Sequence, residues 1–218
     1  MDYNKLKQSI GTFAAQMVTS GMTVGLGTGT TAHAFIKALI ERYNNEKLEI
    51  ECVATSINSE NLAKSGGLPL LYDPLSIDCT FDGADWITPK KLVVKGLGGA
   101  LLREKIVAFA SKKLVLMVDH RKITQTLAGK LLPIEIIPFA FSATIQHIEK
   151  LGCSGKLRDN FTTDNHNLIF DVQIPSHIPI EELDRQISSI PGVVETGLFK
   201  GFSPTVVVGN EDGSIGTI

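Results

Sequence analysis

Gly25-Leu26-Gly27-Thr28-Gly29-Thr30-Thr31 follows a short apolar run and opens a helical pattern. Glycines there let the backbone come close to a ligand, and a helix start presents unpaired N–H groups at the positive end of its dipole. The hydroxyls of Thr28, Thr30 and Thr31 add donors, so the turn suits a terminal phosphate. A dinucleotide fingerprint would need glycine where Thr30 stands, and no Gly-Lys-Ser/Thr follows as a P-loop requires. Read without a ligand, the same turn is a tight strand-to-helix connection capped by Thr30 or Thr31.

Phe81-Asp82-Gly83-Ala84-Asp85 sets two carboxylates just past an apolar strand. Acids at the carboxyl end of a strand can face a ligand crevice and handle hydroxyl groups; paired turn-forming aspartates are the plainer alternative. Val93-Val94-Lys95-Gly96-Leu97-Gly98-Gly99-Ala100 follows. A lysine ending a buried strand beside a glycine-rich turn places positive charge among backbone N–H groups, which suits a developing oxyanion.

In Ala100-Leu101-Leu102-Arg103-Glu104-Lys105-Ile106-Val107-Ala108, helical spacing puts Glu104 on one face with Ala100, Val107 and Ala108. Its neighbours Arg103 and Lys105 point elsewhere. Small apolar surroundings are expected to desolvate Glu104 and raise its pKa towards a value useful for taking a proton. The plainer reading is a glutamate on a helix surface. A phosphate anchor, a lysine with amides and a lone carboxylate together suit proton abstraction beside a carbonyl, through an enediolate and without a metal. The five histidines (33, 120, 147, 166 and 177) show no spacing that points to a metal site.

These residues must be held by a scaffold, and the patterning supplies one. Leu6, Ile10, Phe13, Ala14 and Met17 mark an opening amphipathic helix. Strands are expected at 22–26, 48–54, 68–71, 77–81, 92–94 and 114–118, with helices running to Arg42 and over 58–64 and 99–111. Strand and helix alternate at βαβ spacing, which implies a mostly parallel α/β sheet covered on both faces. Beyond Lys130 the rhythm changes to strand 133–138, helix 141–151, strand 167–173, helix 180–190 and strand 193–199. That order suggests a small α+β domain with an antiparallel sheet. A hairpin is expected from 205–208 to 214–218 across Asn210-Glu211-Asp212-Gly213.

The bulk numbers exclude several classes. The 218 residues are 43% hydrophobic and 20% charged, with 21 Lys plus Arg against 23 Asp plus Glu. A net charge of -2 lacks the basic surface of a general nucleic-acid binder. The amino terminus carries no signal pattern and no apolar run reaches membrane-spanning length, so a soluble cytoplasmic protein is expected. Cys52, Cys79 and Cys153 form no CxxC pair and read as small buried hydrophobes.

The ordered set resembles the A type of ribose-5-phosphate isomerase. It comprises Val24 through Ala32, Asp82-Gly83-Ala84-Asp85, and Lys95-Gly96 through Gly98-Gly99-Ala100-Leu101 with Arg103-Glu104-Lys105. Asp119 with Lys122, Leu132-Pro133-Ile134-Glu135-Ile136-Ile137-Pro138, and Ile190-Pro191-Gly192-Val193-Val194 with Gly197-Leu198-Phe199 complete it.

The resemblance implies interconversion of D-ribose 5-phosphate and D-ribulose 5-phosphate in the non-oxidative pentose phosphate pathway, with no cofactor. Glu104 would be the base between C1 and C2, Lys95 would stabilise the enediolate, and Asp82 would assist ring opening. Asp85 would bind sugar hydroxyls; Thr28, Thr30 and Thr31 would hold the phosphate with Lys122 and Lys7. Gly27, Gly29, Gly83, Gly96, Gly98 and Gly99 would complete the substrate-binding surface. The implied fold is a Rossmann-like domain over 1–129 and 204–218 with a ferredoxin-like α+β lobe over 130–203, and the implied assembly is a homodimer or tetramer.

Two positions depart from the family pattern: Trp86, where an acidic residue is usual, and Leu97, where glycine is usual. Both could reshape the sugar pocket. The rivals are a non-catalytic sugar-phosphate sensor, a six-carbon phosphate enzyme of the wider superfamily, and an NAD-dependent dehydrogenase. The sensor has no need of Glu104 and Lys95 and would carry a DNA-binding segment; the dehydrogenase is weakened by Thr30.

Overall fold

The computed structural model describes residues 2–218. Asp2 caps α1 (Tyr3–Ala15), its carboxylate accepting the N–H groups of Asn4 and Lys5. Leu6, Ile10 and Ala14, at helical spacing, are all buried. The chain continues through β1 (Thr23–Leu26), α2 (Thr30–Glu46), β2 (Glu51–Ala54), α3 (Ile57–Ser65) and β3 (Cys79–Gly83). Then come β4 (Trp86–Ile87), β5 (Val93–Val94), α4 (Leu101–Phe109) and β6 (Leu114–Asp119), which runs into a 3₁₀ turn at His120–Lys122. Near the carboxyl end, β12 (Thr205–Gly209) and β13 (Ile215–Thr217) form the expected hairpin.

By its contacts the chain divides into two compact units. The first comprises Met1–Ala84, Arg103–Ile123 and Phe202–Ile218. Its sheet has the order β13-β12-β6-β3-β1-β2, all neighbours parallel except the antiparallel edge strand β13.

Side chains alternate across a sheet, and the two faces separate accordingly. Val24, Leu26, Cys52, Cys79, Phe81, Val115, Met117 and Val207 join one core with α1 and α2. Val53, one residue out of phase with Cys52, packs instead with Ile77 and with Val107 of α4. This is a Rossmann-like α/β sheet with helices on both faces. Phe35 of α2 stacks on Phe81 of β3 with ring centroids 4.5 Å apart, a contact worth about 1 kcal/mol beyond its buried area. It ties the helix that begins at Thr30 to the strand that ends beside Asp82.

The second unit, Asp85–Leu102 with Thr124–Gly201, has its own core. Its elements are β7 (Leu131–Ile136), α5 (Phe141–Glu149), β8 (Ser154–Leu157), β9 (Leu168–Gln173), α6 (Ile180–Ser188) and β10 (Val193–Thr196). The β-α-β-β-α-β succession forms an antiparallel sheet in the order β10-β7-β9-β8, a ferredoxin-like arrangement. Leu132, Ile134 and Ile136 of β7 alternate into a core with Phe170 and Val172 of β9, Ile148 of α5 and Leu183 and Ile187 of α6.

The structure differs from the sequence expectation at five places, the first being the two-residue strand β4, which the patterning does not announce. Leu68–Leu71 forms no strand; Leu70 makes a single bridge to Cys52. β8 was not anticipated. The run 193–199 breaks at Gly197, so that β10 joins the four-stranded sheet while β11 (Leu198–Phe199) pairs with β5. Finally, β5 lies in a small antiparallel sheet of order β11-β5-β4 and not in the parallel one, so residues 85–102 group with the second unit.

Candidate active site

In the first unit, β1 ends at Leu26 and the chain turns through Gly27, Thr28 and Gly29 into α2. Gly27 donates its N–H to the Phe81 carbonyl at 2.9 Å, which draws the turn onto the end of β3. A Cβ on Gly27 would lie 2.2 Å from Asp82 Oδ1, so the carboxylate occupies the space that a side chain would fill. Asp82 Oδ1 accepts the N–H of Thr28 at 3.0 Å and that of Gly83 at 2.7 Å. Asp82 itself is 1% exposed. Gly29 starts α2 at φ 100 with no side-chain cap, a backbone conformation that glycine adopts without cost. Open space surrounds its Cβ position, Thr30 is exposed and Thr31 half-buried. A helix start of this kind favours negative charge in general.

Thr28 is also held from below. Its Oγ1 meets Thr55 Oγ1 at 2.7 Å and Ser56 Oγ at 2.8 Å. Thr55 Oγ1 donates to the Leu26 carbonyl, and Ser59 Oγ donates to the Gly27 carbonyl at 2.6 Å. Thr55, Ser56 and Ser59 are buried. This hydroxyl network escaped the sequence reading; its one signal was the Thr55-Ser56 pair closing β2, neighbour of β1.

Glu104 lies in the first turn of α4 and is 4% exposed, against 6% for Val107 and 4% for Ala108. Glu104 is thus buried with the apolar residues of its helix face, as the spacing predicts; Arg103 and Lys105 are half-buried. Lys122 sits half-buried in the 3₁₀ turn after β6, and Lys7 half-buried on α1. Arg121 lies 3.4 Å over the ring of Tyr3 and grips Asp119 through Nε at 2.8 Å and Nη2 at 3.0 Å. Burial pushes the Asp119 carboxyl up, but the paired Arg121 outweighs it and holds the group below its ordinary value. Asp119 and Arg121 thereby link α1, which carries Lys7, to the turn that carries Lys122.

In the second unit, Lys95 is 2% exposed and its N–H donates to the Gly197 carbonyl at 2.9 Å. Its Nζ lies 5.6 Å from the ring centroid of Phe199. Gly96 turns the chain at φ 97, and Gly99 N–H closes back on the Gly96 carbonyl at 2.8 Å. Gly98 is exposed at the tip of this turn and Gly99 packs against Phe161. Asp85, half-buried, accepts the Leu97 N–H through Oδ2 at 2.9 Å, so one of its oxygens is engaged with the turn.

Trp86 pairs with Val94, packs against the second core, and carries Lys130 Nζ 3.7 Å from its ring centroid. Leu97 is 36% exposed. Arg158 and Glu135 were not singled out by their chemistry in the sequence. Arg158 donates to the Leu97 carbonyl at 3.0 Å and the Gly96 carbonyl at 3.3 Å. Glu135, fully buried on β7, accepts Thr163 Oγ1 at 3.0 Å, Asn165 Nδ2 at 3.2 Å and Asn167 Nδ2 at 2.9 Å through its Oε1. Among the described residues no three His, Cys, Asp or Glu side chains come together as a metal site requires, and no helix is long and apolar enough to cross a membrane.

A parallel α/β sheet with helices on both faces and a glycine-threonine turn at its strand ends belongs to the class of proteins that bind small ligands there, and comparison with known proteins narrows it. The family model described as ribose 5-phosphate isomerase A (phosphoriboisomerase A) matches residues 51–213. A ribose-5-phosphate isomerase A of Thermoplasma volcanium is 42% identical, the alignment covering 97% of this chain and 91% of the relative. The solved ribose 5-phosphate isomerase A of Methanocaldococcus jannaschii superposes with a TM-score of 0.92 at 35% identity, covering 98% of both chains. A D-ribose-5-phosphate isomerase solved in complex with phospho-erythronic acid gives a TM-score of 0.92 at 31% identity, covering 98% of this chain and 97% of that one. This chain belongs to the ribose 5-phosphate isomerase A family.

Proposed function

We propose that the protein is an aldose–ketose isomerase that interconverts D-ribose 5-phosphate and D-ribulose 5-phosphate by metal-free proton transfer through an enediolate. The observation that carries this reading is Glu104, a carboxylate 4% exposed on a helix face shared with Val107 and Ala108, in a chain of this family. A carboxylate buried on that face is kept from bulk water and fixed in place, which suits a group that takes a proton from a bound substrate and returns it.

In the proposed reaction the phosphate rests on the Gly27–Thr31 turn, where helix N–H groups and threonine hydroxyls favour an anion, with Lys122 and Lys7 adding charge. Asp82 assists opening of the furanose ring, and Asp85 holds sugar hydroxyls through its other oxygen. In the open aldose, Glu104 takes the proton from C2. The C2–H electrons form a C1=C2 double bond, and the aldehyde oxygen O1 takes up the negative charge. Lys95 and the Gly98 N–H of its glycine turn stabilise that charge. Glu104 then returns the proton to C1 while the O2 proton passes to O1, leaving the ketone at C2. Phospho-erythronic acid, bound by the solved relative, is a sugar-acid phosphate whose carboxylate resembles an enediolate in charge and shape, which supports the same chemistry here.

The deciding experiment measures ribulose 5-phosphate formation from ribose 5-phosphate with EDTA present, for wild type and Glu104→Gln. Turnover in wild type and a fall of about 10²–10⁴-fold in the variant, with substrate still bound, is expected. Equal rates in both would remove Glu104 from the chemistry, and loss of wild-type turnover on adding EDTA would remove the metal-free step. Folded wild type that binds ribose 5-phosphate without converting it would favour a sensor.

A further inference from the structure

We propose that Arg158, held by Asp171, is a positioning residue that fixes the direction of the amides in the Lys95–Gly99 turn. The inference rests on the proposed role of that turn in stabilising the enediolate. Arg158 follows β8 and Asp171 lies on the neighbouring strand β9, where Asp171 pairs in register with Lys156. The pair is bidentate: Arg158 Nε to Asp171 Oδ2 at 2.6 Å and Arg158 Nη2 to Asp171 Oδ1 at 2.7 Å. Each side chain is 17% exposed. A guanidinium fork gripped in this way loses little freedom when it makes further bonds.

Two of its remaining donors go to the turn, to the carbonyls of Gly96 and Leu97. A trans peptide points its C=O and N–H in opposite directions. Fixing the Gly96 carbonyl therefore sends the Leu97 N–H the other way, where Asp85 Oδ2 receives it at 2.9 Å. Fixing the Leu97 carbonyl likewise sends the Gly98 N–H away from Arg158. Arg158 and Asp85 thus grip the turn from opposite sides of its peptide ribbon. Phe161, its ring centroid 5.3 Å from the guanidinium carbon, closes a third side: a Cβ on Gly99 would lie 2.1 Å from its Cζ. With glycines at 96, 98 and 99, the turn has little stiffness of its own, so these contacts supply it.

The position of an oxyanion donor governs the chemical step more than substrate capture. The test compares Arg158→Met, Arg158→Lys, Asp171→Asn and Lys95→Ala on ribose 5-phosphate, with circular dichroism and thermal melting recorded for each. Arg158→Met is expected to lower kcat ~10–10²-fold while KM changes little. Arg158→Lys keeps the charge without the fork and should recover part of kcat. Should Arg158→Met fail to fold, Asp171→Asn carries the test, because it keeps the side-chain volume and frees the fork; a drop in kcat at constant KM is expected there too. Wild-type kcat in folded Arg158→Met or Asp171→Asn, or a change confined to KM, overturns the positioning role. If Lys95→Ala also turns over at the wild-type rate, it is the proposed function of the turn that fails.

Discussion

The N–H of Thr28 donates to Oδ1 of Asp82 at 3.0 Å, across 54 residues of sequence. One bond thus joins the turn read as a phosphate cradle to the acid read as the ring-opening group. It exists because Gly27 leaves room for the carboxylate beside the backbone.

Gly27→Ala tests that relationship. The new methyl would stand 2.2 Å from Asp82 Oδ1 and 2.5 Å from the Asp82 Cα, which is backbone and cannot swing aside. A loss of about 1–3 kcal/mol in stability is expected from overpacking, with a fall in turnover larger than the change in melting temperature would explain. Wild-type activity would show that the turn and Asp82 need not touch.

Gly197→Ala makes the matching test in the second unit. Its Cβ would lie 2.3 Å from the Lys95 carbonyl oxygen and 2.9 Å from Pro133 Cδ. Because Lys95 N–H is bonded to the Gly197 carbonyl, the clash moves the backbone of Lys95 itself. Turnover should drop at least as much as in Gly99→Ala, where the obstacle is the ring of Phe161 and the backbone is at φ 83. Normal rates from Gly197→Ala would mean that Lys95 tolerates displacement and plays no close role in the reaction.

Much of the scaffold is legible in the sequence because each element satisfies a local rule. The helix α1 keeps its apolar stripe, β6 is buried at every position, and the 205–217 hairpin is announced by Asn210-Glu211-Asp212-Gly213. The failures have physical causes. β8 reads Ser-Gly-Lys-Leu with three exposed positions, and it bonds on one side only, to β9; an edge strand of polar residues leaves no alternation to detect. The run 193–199 looks continuous because Val193, Val194, Thr196 and Phe199 favour a strand, yet Gly197 lets the chain pass between two sheets. Glu104 is legible because its neighbours on one helix are fixed by spacing. Arg158 is not, since its partners at 96, 97 and 171 meet only when β8 and β9 are in register.

Glu135 should matter to stability more than to rate. Three donors converge on its Oε1 in a fully buried setting. Glu135→Ala strands them and is expected to cost about 3 kcal/mol, whereas Glu135→Gln retains an amide oxygen and should cost less. Urea unfolding midpoints measure both, and an Ala variant as stable as wild type would show that water replaces the carboxylate without penalty.

The cysteines give a pH-dependent prediction. Burial pushes the Cys52 thiol up to about 12 and the Cys79 thiol up to about 11, from an ordinary 9.0, and raises Cys153 as well. Since the thiolate is the nucleophile, iodoacetamide at pH 8 should leave Cys52 and Cys79 untouched in native protein and label all three in urea. A pKa raised on folding gives a contribution that is complete below 9.0 and lost as pH climbs towards 11 and 12. The urea midpoint should therefore decline across that interval. Native Cys52 labelling as fast as in urea would contradict this.

β6 has β3 on one side and β12 on the other, and between β6 and β12 in the chain lies Thr124–Gly201, the larger part of the second unit, its other part preceding β6. During synthesis the ferredoxin-like lobe emerges whole, and can close on its own core, while β6 still presents an unpaired edge. Such an edge is a template for wrong partners. The last strands thus act as the keystone of the parallel sheet, and the nascent chain is most exposed to misassembly in the interval before they leave the ribosome.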